Sequence, residues 1–185
     1  MNLEPVQDPR ARAILEFWFH GDAERKEWFR KDDAFDAEIR AKFLGLYEEA
    51  ERGGLASWLE SPADCLALII LLDQFPRNMF RGSARTFATD PRALAAARHA
   101  VDAGYDKRIG EIARTFFYLP FEHSESLADQ ERALQLFDGQ PNLEWARKHW
   151  EIIRRFGRFP HRNAVLGRQS TPAEIEFLKE TGSSF

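Results

Sequence analysis

Three polar strings in the chain combine residue types that can hold an anion or move a proton. The first is Asp73-Gln74 with Arg77, Asn78 and Arg81, the second is Glu122-His123-Ser124-Glu125, and the third is His161-Arg162-Asn163 with Arg168. Arginine presents a planar fork that pairs a carboxylate or phosphate through two parallel hydrogen bonds. Arg77, Arg81, Arg162 and Arg168 are therefore the candidate anion contacts, with Asp73, Gln74, Asn78, Glu125, His161 and Asn163 beside them. Glu122 and His123 are the acid and base candidates if the protein is an enzyme, with His161 orienting the substrate. The same residues also have a purely structural reading. Asp73 pairs with an arginine, Asn78 caps a free carbonyl and Pro76 stops the helix before it. Ser124 caps the next helix with Glu125 near its positive end. Arg162 and Arg168 neutralise Glu122, Glu125 or Asp73.

Common catalytic signatures are missing. The chain has no P-loop, no Gly-x-Gly-x-x-Gly, no Gly-x-Ser-x-Gly, no His-Glu-x-x-His and no paired Glu-x-x-His. No cofactor is implied. Adjacent residues on a loop point in different directions, so Glu122-His123 is no metal site by itself, and a metal shared by His123, His161 and loop carboxylates is a minor alternative. The single cysteine, Cys65, excludes an intrachain disulfide framework and a cysteine-rich zinc site, and reads as a small buried hydrophobe.

Charge is unevenly distributed along the chain. Residues 1–64 carry 15 acidic and 9 basic side chains, and residues 65–185 carry 15 and 17. Residues 74–89 and 152–173 contain no acid, and the whole chain has 20 Arg against 6 Lys. The overall charge of -4 argues against generic binding to nucleic acid or to an anionic membrane, both of which need a basic footprint. The expected partner is a small anionic molecule or a peptide.

The elements that position these strings read as helices. Cap-proline pairs open them at Asp8-Pro9, Ser61-Pro62, Asp90-Pro91 and Thr171-Pro172, and Glu174 completes a capping box with Thr171. Gly53-Gly54, Gly104, Gly139 and Gly182 are stop signals. Between them the apolar spacing has the helical period, as in Phe35, Ile39, Phe43, Leu46 and Ala50. The spacing predicts helices near 9–20, 33–52, 62–74, 91–103, 108–118, 126–138, 142–156 and 172–181, with a helical turn around 23–30. Leu66 to Leu72 is apolar on every side, so its helix is expected at the centre of the core. Pro120 is expected to end the helix before it. No period-2 strand is visible. Most tryptophans and phenylalanines are expected in the core, with Trp58 partly exposed.

At 185 residues the chain fits one domain able to bury its core without staples. Its longest apolar run, Cys65 to Leu72, is too short to span a bilayer. The start, Met1-Asn2-Leu3-Glu4-Pro5, lacks a signal-peptide pattern, so a soluble cytoplasmic protein is expected. The first few residues and Gly182–Phe185 are expected to be loose.

The strings Leu72-Asp73-Gln74-Phe75-Pro76-Arg77-Asn78, Tyr118-Leu119-Pro120-Phe121-Glu122-His123-Ser124-Glu125 and Phe159-Pro160-His161-Arg162-Asn163 with Leu166-Gly167-Arg168 occur together with Phe17-Trp18-Phe19. In that combination the chain resembles an uncharacterised bacterial family, domain of unknown function 924, from about Ala11 to Lys179. The resemblance implies an all-α, tetratricopeptide-like fold of stacked antiparallel helical hairpins, about eight helices in all. It supplies no reaction, cofactor or catalytic residue.

The expected function is binding of a small anionic ligand or peptide in a cleft lined by Arg, His and Glu, where the three strings meet. The alternative is an enzyme acting on a small anionic substrate through Glu122 and His123. The second alternative is a structural or interaction module without a ligand. The sequence leaves the oligomeric state open.

Overall fold

A computed structural model of the chain describes residues 5–20, 25–28 and 30–183. The helices are α1 (Pro9–Trp18), α2 (Asp33–Glu51), α3 (Pro62–Ile69), α4 (Phe75–Met79), α5 (Asp90–Asp102), α6 (Glu111–Glu122), α7 (Leu127–Leu136), α8 (Leu143–Phe156) and α9 (Pro172–Phe177). Among the described residues there is no strand, so the fold is all-α. Of the expected turn around 23–30, Lys26–Trp28 forms a short 3-10 turn, while residues 23, 24 and 29 lie outside the described residues. The expectations about residues 1–4 and 184–185 also lie outside them. Among the described residues no helix is long and apolar enough to cross a membrane.

The chain forms two compact units, Met1–Arg81 with Arg85–Pro120, and Gly82–Ala84 with Phe121–Phe185. The first unit is built around α3. Its residues are buried on every side, as its unbroken apolar sequence requires, and α1 and α5 pack against it. Each of its Leu and Ile side chains contributes roughly 1.5–3 kcal/mol by leaving water. An aromatic cluster adds to this core. Trp18 lies 5.6 Å from Phe75 and 5.7 Å from Phe116, and Phe43 lies 4.9 Å from Phe75, between ring centroids. In the second unit α7 packs on α8, and Ile152, Ile153, Phe159 and Phe177 form a core flanked by Phe156.

Helix starts follow their caps. Asp8 accepts from the Arg10 N–H, Ser61 from the Asp64 N–H, and the Thr171–Glu174 capping box is complete. At Asp90-Pro91 the cap is Thr89 instead, and Asp90 is the first helical residue. Trp58 is buried at 2% exposure, not partly exposed, because its indole N–H donates to Asp8 at 2.9 Å. Burial pushes the Cys65 thiol up to about 12, which suits a packing role and not a nucleophile.

Two prolines do not end their helices. After Ile69 the chain makes a π-helical turn, Ile70–Gln74, closed by Phe75 N–H donating to the Ile70 carbonyl, and continues into α4. Pro76 cannot donate to the Leu72 carbonyl, and the Thr89 hydroxyl donates to that carbonyl instead at 2.6 Å. Likewise α6 runs on through Pro120 to Glu122. Its end is set by Gln130, whose amide N–H2 donates to the carbonyls of Glu122 at 2.6 Å and Ser124 at 2.7 Å.

Candidate functional site

The first string lies in the first unit, and its charges find partners there. Asp73 is fully buried on the π turn, accepting from the Gln74 amide at 2.6 Å, with Arg77 Nη1 at 3.4 Å from its other oxygen. Arg77 also donates to the Asp73 carbonyl and to both oxygens of Asp90, at 2.9 and 3.2 Å. Burial alone would lower the Arg77 pKa, but the charges of Asp73 and Asp90 outweigh it and raise it. Arg81 pairs Asp36 through Nε at 2.5 Å and Nη2 at 3.1 Å. Asn78 does not cap a carbonyl; its amide donates to the same Asp36 at 2.7 Å. Asp36 and Asp90 both sit in the first turns of helices, where the free N–H groups favour negative charge.

The second and third strings are brought together in the second unit. Arg168 forks onto Glu125 at 2.7 and 2.9 Å, and Glu125 also accepts the Phe159 N–H at 2.8 Å. Burial pushes the Glu125 carboxyl up, yet the Arg168 and Phe159 hydrogen bonds, with the nearby charges of Arg168 and Arg162, hold it below the usual range. Asn163 accepts from Arg168 Nε at 3.0 Å and donates to Ser170 at 3.0 Å. Arg162, 6% exposed, lies 4.4 Å above the Phe159 ring and donates to the His123 carbonyl at 3.0 Å. Ser124 does not cap α7. Its hydroxyl donates to Asp129 at 2.8 Å, and Ser126 holds the cap position.

Glu122 ends α6 as a buried carboxylate at 3% exposure, not on an open loop. Its Oε1 is 2.9 Å from Nδ1 of His149, and its Oε2 has no hydrogen-bond partner among the described residues. In the same corner the side-chain oxygen of Gln130 is buried without a hydrogen-bond partner among the described residues. The His149 ring is 6.3 Å from that of His123 and 5.6 Å from that of Phe159, which is 5.6 Å from His161. The corner therefore gathers three imidazoles, one guanidinium and a buried carboxylate. An unpaired buried acceptor costs on the order of 1–3 kcal/mol, so Glu122 Oε2 is a place where a donor would be held. Among the described residues no group of three or more His, Cys, Asp or Glu is arranged to hold a metal ion.

His149 is the functional candidate that sequence reading missed. It lies three residues after Ala146 and four before Ile153, so a histidine occupies the apolar stripe of α8. That interruption was the available signal. Asp36 and Asp90 were also missed as arginine partners, since the acids of helix first turns read as caps. Trp145 is 52% exposed, with Lys148 Nζ 4.2 Å from its ring centroid.

A family model described as "Bacterial protein of unknown function (DUF924)" matches residues 14–182. The solved structure of ATU0120, a protein of unknown function from Agrobacterium tumefaciens, is similar at 45% identity. The similarity covers 91% of this chain and 96% of that one, with a TM-score of 0.87. No curated protein matches.

Proposed function

The chain belongs to the DUF924 family of bacterial proteins, and we propose that it binds a small acid carrying a hydroxyl or amino group in the polar corner of its second unit. The observation that carries this reading is Glu122, a carboxylate 3% exposed whose Oε2 has no hydrogen-bond partner among the described residues. The ligand's O–H or N–H would donate to that oxygen. The ligand's carboxylate would face the fixed charge of Arg162, which Phe159 and the His123 carbonyl hold in place. His123 and His161 would border it. Within the second unit, Arg168, Glu125 and Asn163 serve this reading as the frame of the corner, because Glu125 occupies the Arg168 fork. In the first unit the Arg77 and Arg81 forks are taken up by Asp90 and Asp36, and with Asp73, Gln74 and Asn78 they have no ligand role in it.

A ligand that binds only the folded state raises the melting temperature. Thermal unfolding with lactate, glycine, acetate and acetamide tests the proposal. Lactate or glycine is expected to raise Tm more than acetate, and acetamide is expected to do nothing. The rise is expected to vanish in Glu122→Gln. No rise with any acid, or an equal rise in Glu122→Gln, overturns the reading.

A further inference from the structure

Of the 11 glycines in the chain, Gly139 alone follows an aspartate, and none follows an asparagine. Asp138-Gly139 lies in the connection between α7 and α8, and both residues are exposed. Three features leave the pair open to reaction with itself. Gly139 has no Cβ to shield its amide nitrogen, and apart from its chain neighbours no atom lies within 4 Å of the place a Cβ would take. Its N–H makes no hydrogen bond among the described residues, although the Asp138 N–H donates to the Gln135 carbonyl at 3.4 Å and the Gln140 N–H to the Phe137 carbonyl at 2.9 Å. The Asp138 carboxylate has neither an ion pair nor a hydrogen bond among them. Asp102-Ala103, also exposed and at the end of α5, is the natural contrast. Ala103 carries a Cβ, and its N–H donates to the His99 carbonyl at 2.9 Å. We propose that Asp138-Gly139 is a modification site, at which the folded protein converts aspartate to isoaspartate. The inference is independent of the small-acid reading.

The chemistry needs only water. The Gly139 nitrogen attacks Cγ of Asp138, and a C–N bond forms as the carboxyl C–O bond breaks. The protonated carboxyl loses its hydroxyl and the nitrogen its hydrogen, together one water, and a cyclic imide results. Water then adds to either imide carbonyl. Opening at Cγ restores aspartate, whereas opening at the former main-chain carbonyl routes the chain through Cβ and Cγ and leaves a free carboxylate on Cα. The two products are isomers, so no oxidant or cofactor enters. The main chain gains a methylene between helices that pack on each other. Two hydrogen bonds span the altered link, from the Gln140 N–H to the Phe137 carbonyl at 2.9 Å and from the Gln140 side-chain amide to the Leu136 carbonyl at 3.1 Å. The isomer stretches both and loosens the entry to α8. Its free α-carboxylate is the group that a methyltransferase of the isoaspartyl-repair class esterifies.

The full-length protein, kept folded in heavy-oxygen water at neutral pH and physiological temperature, tests this. Peptide mapping with electron-transfer fragmentation tells isoaspartate from aspartate. Isoaspartate carrying heavy oxygen is expected at Asp138, with Asp102 unchanged. The rate is expected within about tenfold of that in the urea-unfolded chain, as for a link that opens locally at little cost. Isoaspartate found only in urea, or equally at Asp102, overturns the proposal. Glutamate would have to close a larger ring, so Asp138→Glu is expected to keep the charge and stay unmodified. On ageing, the wild-type Tm is expected to fall while that of Asp138→Glu holds. Isoaspartate with an unchanged Tm overturns the effect assigned to the α7–α8 link. If Asp138→Glu does not fold, mapping of the native chain still decides. Labelled methyl transfer by an isoaspartyl methyltransferase is expected on aged but not on fresh protein, and none on aged protein overturns that choice of partner.

Discussion

Arg77 in the first unit and Arg162 in the second carry the same charge, but their surroundings differ. Arg77 is closed between two carboxylates, Asp73 and Asp90, and its neighbour Arg81 is forked onto Asp36. Arg162 lies over a ring, donates to a backbone carbonyl and lends its charge to Glu125, in a corner where a second, buried carboxylate, Glu122, keeps one oxygen without a partner among the described residues. The first arrangement resembles a structural lock, in which each charge offsets another and an incoming anion would have to displace a resident one. The second holds charge in place while leaving hydrogen-bonding capacity unused. Similar residue types thus supply a brace in one place and a candidate binding corner in the other.

The contrast is broken most severely by Arg77→Ala. Removing one member of a buried charge group leaves Asp73 and Asp90 uncompensated, and a loss of about 3–5 kcal/mol is expected in urea unfolding. Arg92→Ala, at an exposed position in the first turn of α5, is expected to cost no more than about 0.5 kcal/mol. Equal losses would remove the brace from the first unit. Glu125→Gln is expected to cost about 1–2 kcal/mol, since it weakens the Arg168 fork while the Phe159 N–H keeps an acceptor. The same denaturation experiment measures it.

The second unit also has a brace of its own that acid should release. The Arg158 fork, with the Thr171 contacts, holds the Glu174 carboxyl at about 2 against its ordinary 4.5. A carboxylate whose folded pKa is depressed stabilises the fold above its unfolded pKa. That contribution is expected in full at neutral pH and to fade as pH falls from 4.5 through about 2. The unfolding midpoints of wild type and Glu174→Gln should therefore differ at pH 7 and converge near pH 2. A constant difference would contradict the assignment.

Gly157 ends α8 with φ +68°, so Gly157→Ala is expected to cost about 1 kcal/mol through backbone strain alone. Among the substitutions at buried charged groups, the smallest expected stability effect belongs to Glu122→Gln. It keeps an oxygen for His149 and replaces an unpartnered acceptor, so a change within about 1 kcal/mol is expected together with loss of the lactate-induced Tm rise. A large destabilisation there would make the second corner another brace and remove the contrast.

The helical architecture was readable residue by residue. Asp8-Pro9, Ser61-Pro62 and Thr171-Pro172 mark true helix starts, and the apolar run Leu66–Leu72 lies in the buried α3 and the π turn. Pro76 and Pro120 do not end their helices, because a proline ends a helix only when no other donor reaches the freed carbonyl and the turn does not continue. At Pro76 the hydroxyl of Thr89, 17 residues from the Leu72 carbonyl, donates to it. At the candidate site the residue types were visible, but the pairings were not. His149 was hidden inside an apolar stripe, and Asp36 and Asp90 looked like ordinary acids of helix first turns.

The amino-acid order by itself determined the helices, their caps and the central apolar element, because capping and periodicity act over three or four residues. Tertiary structure alone decided which carboxylate each arginine meets. Arg81 and Asp36 are separated by 45 positions, and Arg168 and Glu125 by 43. It also decided that Glu122 faces the imidazole of His149, with its other oxygen left without a partner among the described residues. Such pairings depend on how whole helices pack, and local spacing carries no record of that.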